Sequence, residues 1–419
     1  MDLERTAASV RPVRLTVSDD LQRGHGSVFF RFWFALPFLF WLALWGIAAF
    51  FVAIVNWFAT LFTGTSPQGL HRFLARFVRY SVHVHAYLFL AAEPLPRFDG
   101  KPGYPIDVEI DPPSRQNRWT VGFRFVLVVP VLILLSAFFG SSGYYGSGEG
   151  EVGVGVALVF AAAFLGWFVG VIRARMPRGL RDLIAYGVSY GAQAGAYMLL
   201  LTDRYPSSDP LTAIGPLPTR DDPVALETTD DLQRSRLTVF FRLLLAIPHL
   251  IWLALWGIAA FFVAIVNWFA TLFTGTSPQG LHRFLARFVR YSVHVYAYLN
   301  LIGNPFPGFA GEESSYPIEL RVAERARQNR WTVGFRLVLA VPAVLIASAY
   351  GTLLFIVAFL GWFASLFTGR MPLGLRNAGA LALRYTAQTY GYILLLTGAY
   401  PYSGPSLSSP VLAPSPTDA

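Results

Sequence analysis

FFRFWFALPFLFWLALWGIAAFFVAIVNWFATLF, residues 29–62, carries a single charged side chain, Arg31. From Phe29 to Ala92 there is no Asp or Glu, and the same holds from Leu237 to Gly311 and from Arg325 to Thr417. Apolar runs of this length are membrane-span signals. As one helix, Phe29–Phe62 would reach ~50 Å at ~1.5 Å per residue, against a hydrocarbon core of ~30 Å. A hairpin of two helices is therefore expected there.

Composition agrees with a membrane class. Hydrophobic residues make up 54% of the chain and charged residues 14%, against about 25% charged in an average soluble domain. The net charge is +9. Its arginines flank apolar segments rather than forming a soluble basic patch, so anionic headgroups are the expected partner and nucleic acid is not. With no Cys, disulfides, thiolate metal sites and Cys nucleophiles are excluded. The first 28 residues have no signal-peptide pattern, and both termini are expected in the cytoplasm.

Repetition sets the organisation. Trp41–Val84 recurs as Trp252–Val295 without a substitution, and His85 then becomes Tyr296. A weaker repeat divides the chain into four units in A-B-A-B order: 1–98, 99–210, 211–308 and 309–402, with a Ser/Pro-rich tail over 403–419 expected to be disordered. Each unit opens on a short strand, read from period-two alternation over Val13–Val17, Ile106–Ile110, Val224–Leu226 and Ile318–Val322. Polar links follow, with Asp19-Asp20 and Asp230-Asp231 in the A units, where capping or turn formation is the ordinary use. Next comes Phe-Arg-x5-Pro, at Arg31, Arg124, Arg242 and Arg336 with Pro37, Pro130, Pro248 and Pro342. A Trp-Phe pair (Trp57, Trp167, Trp268, Trp362) and a Pro-x-Gly-Leu turn (Pro67, Pro177, Pro278, Pro372) lead into a third helix.

The expected fold is an all-α membrane protein of four tandem units, each a transmembrane hairpin plus a third amphipathic or interfacial helix. The glycine-rich tip Gly140–Gly150 is placed outside, and Arg118, Arg124, Arg173, Arg175, Arg178 and Arg181 in the cytoplasm. Eight crossings with four interfacial helices are favoured, twelve crossings being the alternative. All units would then share one orientation, letting the four strands meet in one sheet.

Two sets of residues are candidates for function. Arg31, Arg124, Arg242 and Arg336 read as snorkelling anchors, or as contacts to lipid phosphate or a membrane-protein partner. The third helices carry polar stripes spaced to share a face: Tyr80, His83, Tyr87; Tyr190, Gln193, Tyr197; Tyr291, His294, Tyr298; and Tyr385, Gln388, Tyr392. Interhelical hydrogen bonding is the ordinary explanation and ligand lining the functional one. His83 and His85 point different ways, no acid is seen beside them, and catalysis would require Asp19 or Asp230 to reach His83 or His294. No nucleotide, dinucleotide or metal motif appears, so no cofactor is expected.

The Phe-Arg-x5-Pro start, the Trp-Phe pair, the Pro-x-Gly-Leu turn and the ending Leu201-Thr202-Asp203-Arg204-Tyr205-Pro206 together resemble the bacterial membrane family catalogued as "domain of unknown function 4389", in tandem copies over nearly the whole chain. The first and third units depart at that ending, with Ala91-Ala92-Glu93-Pro94 and Ile302-Gly303-Asn304-Pro305. If the ending binds something, those two units are expected to have lost it. The resemblance implies a bacterial integral membrane protein and no reaction; the cytoplasmic (inner) membrane is the expected location. The functional expectation is a non-catalytic protein organising lipid or a membrane complex through cytoplasmic-face Arg and interfacial helices. A passive channel lined by the stripes comes next, and a lipid-modifying enzyme last.

Overall fold

The computed structural model describes residues 11–140 and 157–408. The glycine-rich tip beyond Gly140 and the tail from 409 onward lie outside the described residues. Two compact units divide the chain, Met1–Gly215 with Ser348–Leu360 and Pro216–Ala347 with Gly361–Ala419. The first contains β1 (Val13–Val17), α1 (His25–Phe29), α2 (Arg31–Thr63), α3 (Gln68–Leu88), β2 (Ile106–Ile110), α4 (Arg118–Gly122), α5 (Arg124–Leu127), α6 (Val129–Phe139), α7 (Leu158–Arg173) and α8 (Arg178–Met198). After it come β3 (Thr219–Arg220), β4 (Val224–Thr228), α9 (Arg236–Thr274), α10 (Gln279–Leu299), β5 (Ile318–Val322), α11 (Arg330–Gly334), α12 (Arg336–Thr368), α13 (Leu373–Ile393) and β6 (Leu407–Ser408).

The expected hairpin inside Phe29–Phe62 does not form. α2 runs unbroken for 33 residues, and α9 and α12 for 39 and 33. Pro37 lies in the second turn of α2 and leaves the Trp33 carbonyl without its i+4 donor, but the helix continues through it. Gly46 is likewise carried within the helix, which ends at Gly64 with a left-handed φ of +78°. Pro67 then caps α3, which returns antiparallel along α2. The Trp45 ring stacks on Tyr80 at 5.3 Å and meets Phe73 and Phe77 edge-on. The Tyr80 hydroxyl donates to Phe38 O at 3.1 Å, and Ser66 Oγ to Asn56 Oδ1 at 2.6 Å. The hairpin is thus long helix plus third helix, and a continuous helix supplies at most one crossing where two were expected. The second motif copy alone has a joint: its helix breaks at Val128, with Pro130 opening α6.

All four expected strands form, but they do not meet in one sheet. β1 pairs antiparallel with β2, from Val13↔Ile110 to Val17↔Ile106, and β4 with β5, from Val224↔Val322 to Thr228↔Ile318. Each strand finds its partner within its own compact unit because the third helix anchors it there; Arg79 Nε donates to Val108 O at 2.9 Å. The tail is ordered at its start, contrary to expectation. Arg384 donates to Gly404 O and Ser406 Oγ, and β6 pairs with β3.

Each unit is layered. In the first, α2, α6 and α7 lie on one side, α3 and α8 in the middle, and the β1–β2 ribbon on the other. In the second, α9 packs on α10, and α10 and α13 carry β4–β5. Reciprocal indole bonds lock the motif copies in pairs: Trp57 donates to Val121 O, Trp167 to Val28 O, Trp268 to Val333 O and Trp362 to Val239 O. Only 11% of the most apolar stretch of α2 or α9 is buried, and Phe50, Phe51, Ile54 and Phe58 of α2, with Phe261, Phe262, Ile265 and Phe269 of α9, are exposed. Spin labels at Leu36 and Phe62 are expected to lie about 39 Å apart along one helix. A separation below about 20 Å would mean the stretch folds back on itself.

Candidate functional site

The four arginines of Phe-Arg-x5-Pro are buried, each 3% exposed or less, so they are not snorkelling anchors. Each guanidinium lies over the last tyrosine of a stripe: Arg31 over Tyr87 at 4.4 Å, Arg124 over Tyr197 at 3.8 Å, Arg242 over Tyr298 at 4.4 Å and Arg336 over Tyr392 at 4.0 Å. The two candidate sets therefore form one constellation, repeated four times. Cation–π contact of this kind strengthens where water is excluded. Arg31 Nη1 also donates to Tyr87 O at 2.6 Å and Ala92 O at 2.8 Å, and Arg242 Nη1 to Tyr298 O at 2.6 Å and Gly303 O at 3.1 Å. The Tyr87 and Tyr298 carbonyls lie in the last turn of their helices and also accept the N–H of Leu90 and Leu301, while Ala92 and Gly303 stand in the links that follow.

A second side chain, always eight residues before the arginine, completes the cap. Each third helix is followed by a leucine with left-handed backbone, Leu90, Leu200, Leu301 and Leu395, at φ between +59° and +64°. For a leucine that conformation is strained. Arg23 and Arg234 donate to the carbonyls of Leu90 and Leu301, and Gln116 and Gln328 to those of Leu200 and Leu395. In the A units, Asp19 and Asp230 hold these arginines through buried ion pairs of 2.9 and 2.7 Å and accept the N–H of Leu21 and Leu232. They form turns.

Three residues past each leucine sits the counter-group to the motif arginine. Glu93 pairs with Arg31, Asp203 with Arg124 at 3.2 Å, and Asn304 accepts from Arg242 at 3.2 Å. The departures at Glu93 and Asn304 keep a partner in place. The loss falls on the fourth copy, where the position is Gly398 and Arg336 bonds Gln328 with no carboxylate. Motif spacing alone could have shown this, because Glu93, Asp203, Asn304 and Gly398 stand at one position in each copy.

The centres of the A-unit stripes hold acids that sequence reasoning missed. His83 Nε2 lies 3.0 Å from Asp107 Oδ1 on β2, and Arg79 Nε 3.3 Å from the same oxygen. Burial pushes the Asp107 carboxyl up, but bonds from His83 and the N–H groups of Gly103 and Val108 outweigh it and hold it below its usual range. At the matching position Glu319 is one methylene longer and turns to Arg290 at 3.0 Å, leaving His294 Nε2 3.5 Å from Glu319 Oε2 without a hydrogen bond. Burial, then Arg290, push the His294 imidazole down to about 4, and burial raises Glu319 against the pull of Arg290. Among the described residues no hydroxyl bonds the second nitrogen of His83. In the B units Gln193 accepts from Ser207 N–H, and Gln388 donates to Val224 O and accepts from Tyr402 N–H. Tyr190 donates to Val131 O at 3.5 Å, and Tyr291 bonds His249 at 2.8 Å. Tyr385 is buried as well.

The chain is mostly helical, and three of its helices are long and apolar enough to cross a membrane by length and composition. The chain belongs to the family described as "Domain of unknown function (DUF4389)", whose profile matches residues 25–99, 236–310 and 330–403. The matches are three tandem copies and leave out residues 100–235, including the Leu201–Pro206 ending that carried the resemblance best. No curated protein and no solved structure matches the chain.

Replacing Arg124 with Met removes the donor to Asp203 and the stack on Tyr197 together, and is expected to cost about 3 kcal/mol in unfolding, since the carboxylate loses its cation. Gly398→Asp supplies the missing counter-charge and is expected to raise the melting temperature; a Cβ there meets only Gln328 Cγ, at 3.8 Å. The acid dependence has a definite sign. His294 is lowered from 6.5 to about 4, so the unfolded chain takes up the proton first, and stability falls as pH drops from about 6.5 toward 4. Raised Glu319 opposes this above its ordinary 4.5, and Asp107 loses its contribution only below 3.8. His294→Gln, the residue used at Gln193 and Gln388, should reduce the fall in thermal stability between pH 6.5 and 4.5, buried His71, His85 and His282 keeping the rest of it, while Asp107→Asn should not.

Proposed function

We propose that this is a non-catalytic membrane protein of four related units that seats its long helices along one leaflet and gathers anionic lipid. The carrying observation is the placement of charge beside the middle of those helices. Arg72 and Arg76 are exposed on α3 next to Phe73 and Phe77, which touch Trp45 near the midpoint of α2. Arg283 and Arg287 stand likewise on α10, next to Phe284 and Phe288 against Trp256 of α9. None of the four has an ion pair among the described residues. Arg79, Asp107 and the ribbon edge flank α2 at the level of Phe38.

A helix crossing upright would carry all of these into hydrocarbon, where charge and unpaired strand backbone are excluded. Lying in the plane, α2 and α9 bury their apolar faces while the third helices raise their arginines to phosphate level. The bacterial inner membrane, with its anionic lipids facing the cytoplasm, is the matching surface. Engagement of the stripe side chains with arginine, carboxylate and backbone weighs against a channel. An Arg72→Gln, Arg76→Gln, Arg283→Gln, Arg287→Gln variant, purified and examined by native mass spectrometry, should retain at least tenfold less phosphatidylglycerol than the wild type at equal phosphatidylethanolamine. Equal retention would remove the proposal.

A further inference from the structure

Between α3, α6, α7 and α8 lies a cavity of about 370 Å³, within the range of small-molecule sites. Its wall is aromatic and aliphatic, with Phe77, Phe89, Phe139 and Phe160 prominent, and Phe160 stands exposed at 50%. Only Ser81 and His85 bring polar side chains to it. The Nδ1 of His85 lies 2.7 Å from Ser81 O. A carbonyl only accepts, so Nδ1 carries the proton and Nε2 of the neutral ring is a free acceptor. No described residue donates to Nε2.

The second half of the chain has the matching place, and it is nearly filled. There the cavity is about 140 Å³, lined by Phe288, Ser292, Tyr296, Thr386 and Tyr390 among others. The three replacements that close it are Tyr296 for His85, Thr386 for Gly191 and Tyr390 for Gly195. His85 is also the first residue to differ after 44 identical positions, Trp41–Val84 against Trp252–Val295. Close packing does not demand the two glycines. A Cβ at Gly195 would meet Val78 Cγ2 at 3.8 Å and one at Gly191 would meet Phe139 Cε2 at 3.4 Å, ordinary contacts, whereas at Gly187 it would run into Val159 at 2.4 Å. Gly191 and Gly195 leave space.

We infer that this cavity binds one single-chain apolar molecule whose hydroxyl donates to His85 Nε2, and that the second half has given the site up. The inference rests on the membrane reading only for the supply of such molecules, a fatty alcohol or a linear isoprenol. The test uses the full chain in detergent, so its outcome does not depend on how the protein sits in a bilayer. Tritiated 1-dodecanol and farnesol would be titrated against wild type, His85→Tyr, Gly191→Thr and, in the other half, Tyr390→Gly, with thermal unfolding confirming that each variant is folded. One saturable equivalent is expected for the wild type, whichever chain binds more tightly naming the source. His85→Tyr and Gly191→Thr should weaken binding at least tenfold, and 1-methoxydodecane, which cannot donate, should bind about tenfold more weakly than dodecanol. Tyr390→Gly should leave the first site unchanged and enlarge the second. Absence of saturable binding to wild type, unchanged affinity in both folded cavity variants, or equal binding of the ether would overturn the inference.

Discussion

Capture of the left-handed leucine carbonyl after each third helix by a buried arginine or glutamine is the interaction on which the structure depends. A helix ends with acceptors that find no donor of their own, and an apolar surrounding makes leaving them bare costly. Arg31 and Arg242 answer this directly, and Arg23, Arg234, Gln116 and Gln328 hold the leucine carbonyl that follows. In all four copies the motif arginine is stacked on the last tyrosine of the third helix, so helix end, link and long-helix start become one knot. Strain at the four left-handed leucines is held there by these bonds, and the counter-group three residues on sets how fully the buried charge is matched.

That knot also fixes the layering. It ties the beginning of the long apolar helix to the end of the third, so the two run side by side over most of their length, and the ribbon docks on the third helix through Arg79 and Asp107. An apolar layer, an amphipathic layer and a polar ribbon result. Such an order suits a surface with oil on one side and water on the other better than a bundle surrounded by oil. The exposed arginines on α3 and α10 have, in this arrangement, phosphate as their natural counter-ion.

Much of this was legible in the sequence. Period-two alternation located the four longer strands, and Pro-x-Gly-Leu marked the first turn of α3, α8, α10 and α13. The stripe spacing put each tyrosine pair on one face. What failed did so for physical reasons. The length of Phe29–Phe62 was judged against bilayer thickness, an argument that holds only for a helix standing upright; the residues themselves contain no turn before Gly64. Arg in a motif next to an apolar run looks like a headgroup anchor because local pattern cannot reveal a carbonyl 56 residues away. Asp107 was missed beside His83 because the contact joins a helix to a strand of the next unit. The family profile, three copies in place of four, also leaves out the region whose helix has the joint at Pro130.

The central claim is the in-plane seat of the long helices, and cysteine labelling on this naturally Cys-free chain tests it most directly. Gly26→Cys and Thr65→Cys flank α2 at its two ends, both on exposed residues. In right-side-out and inverted vesicles a membrane-impermeant maleimide should reach the two positions from the same side. Labelling from opposite sides would show that α2 crosses the bilayer, and the single-leaflet account would then be wrong.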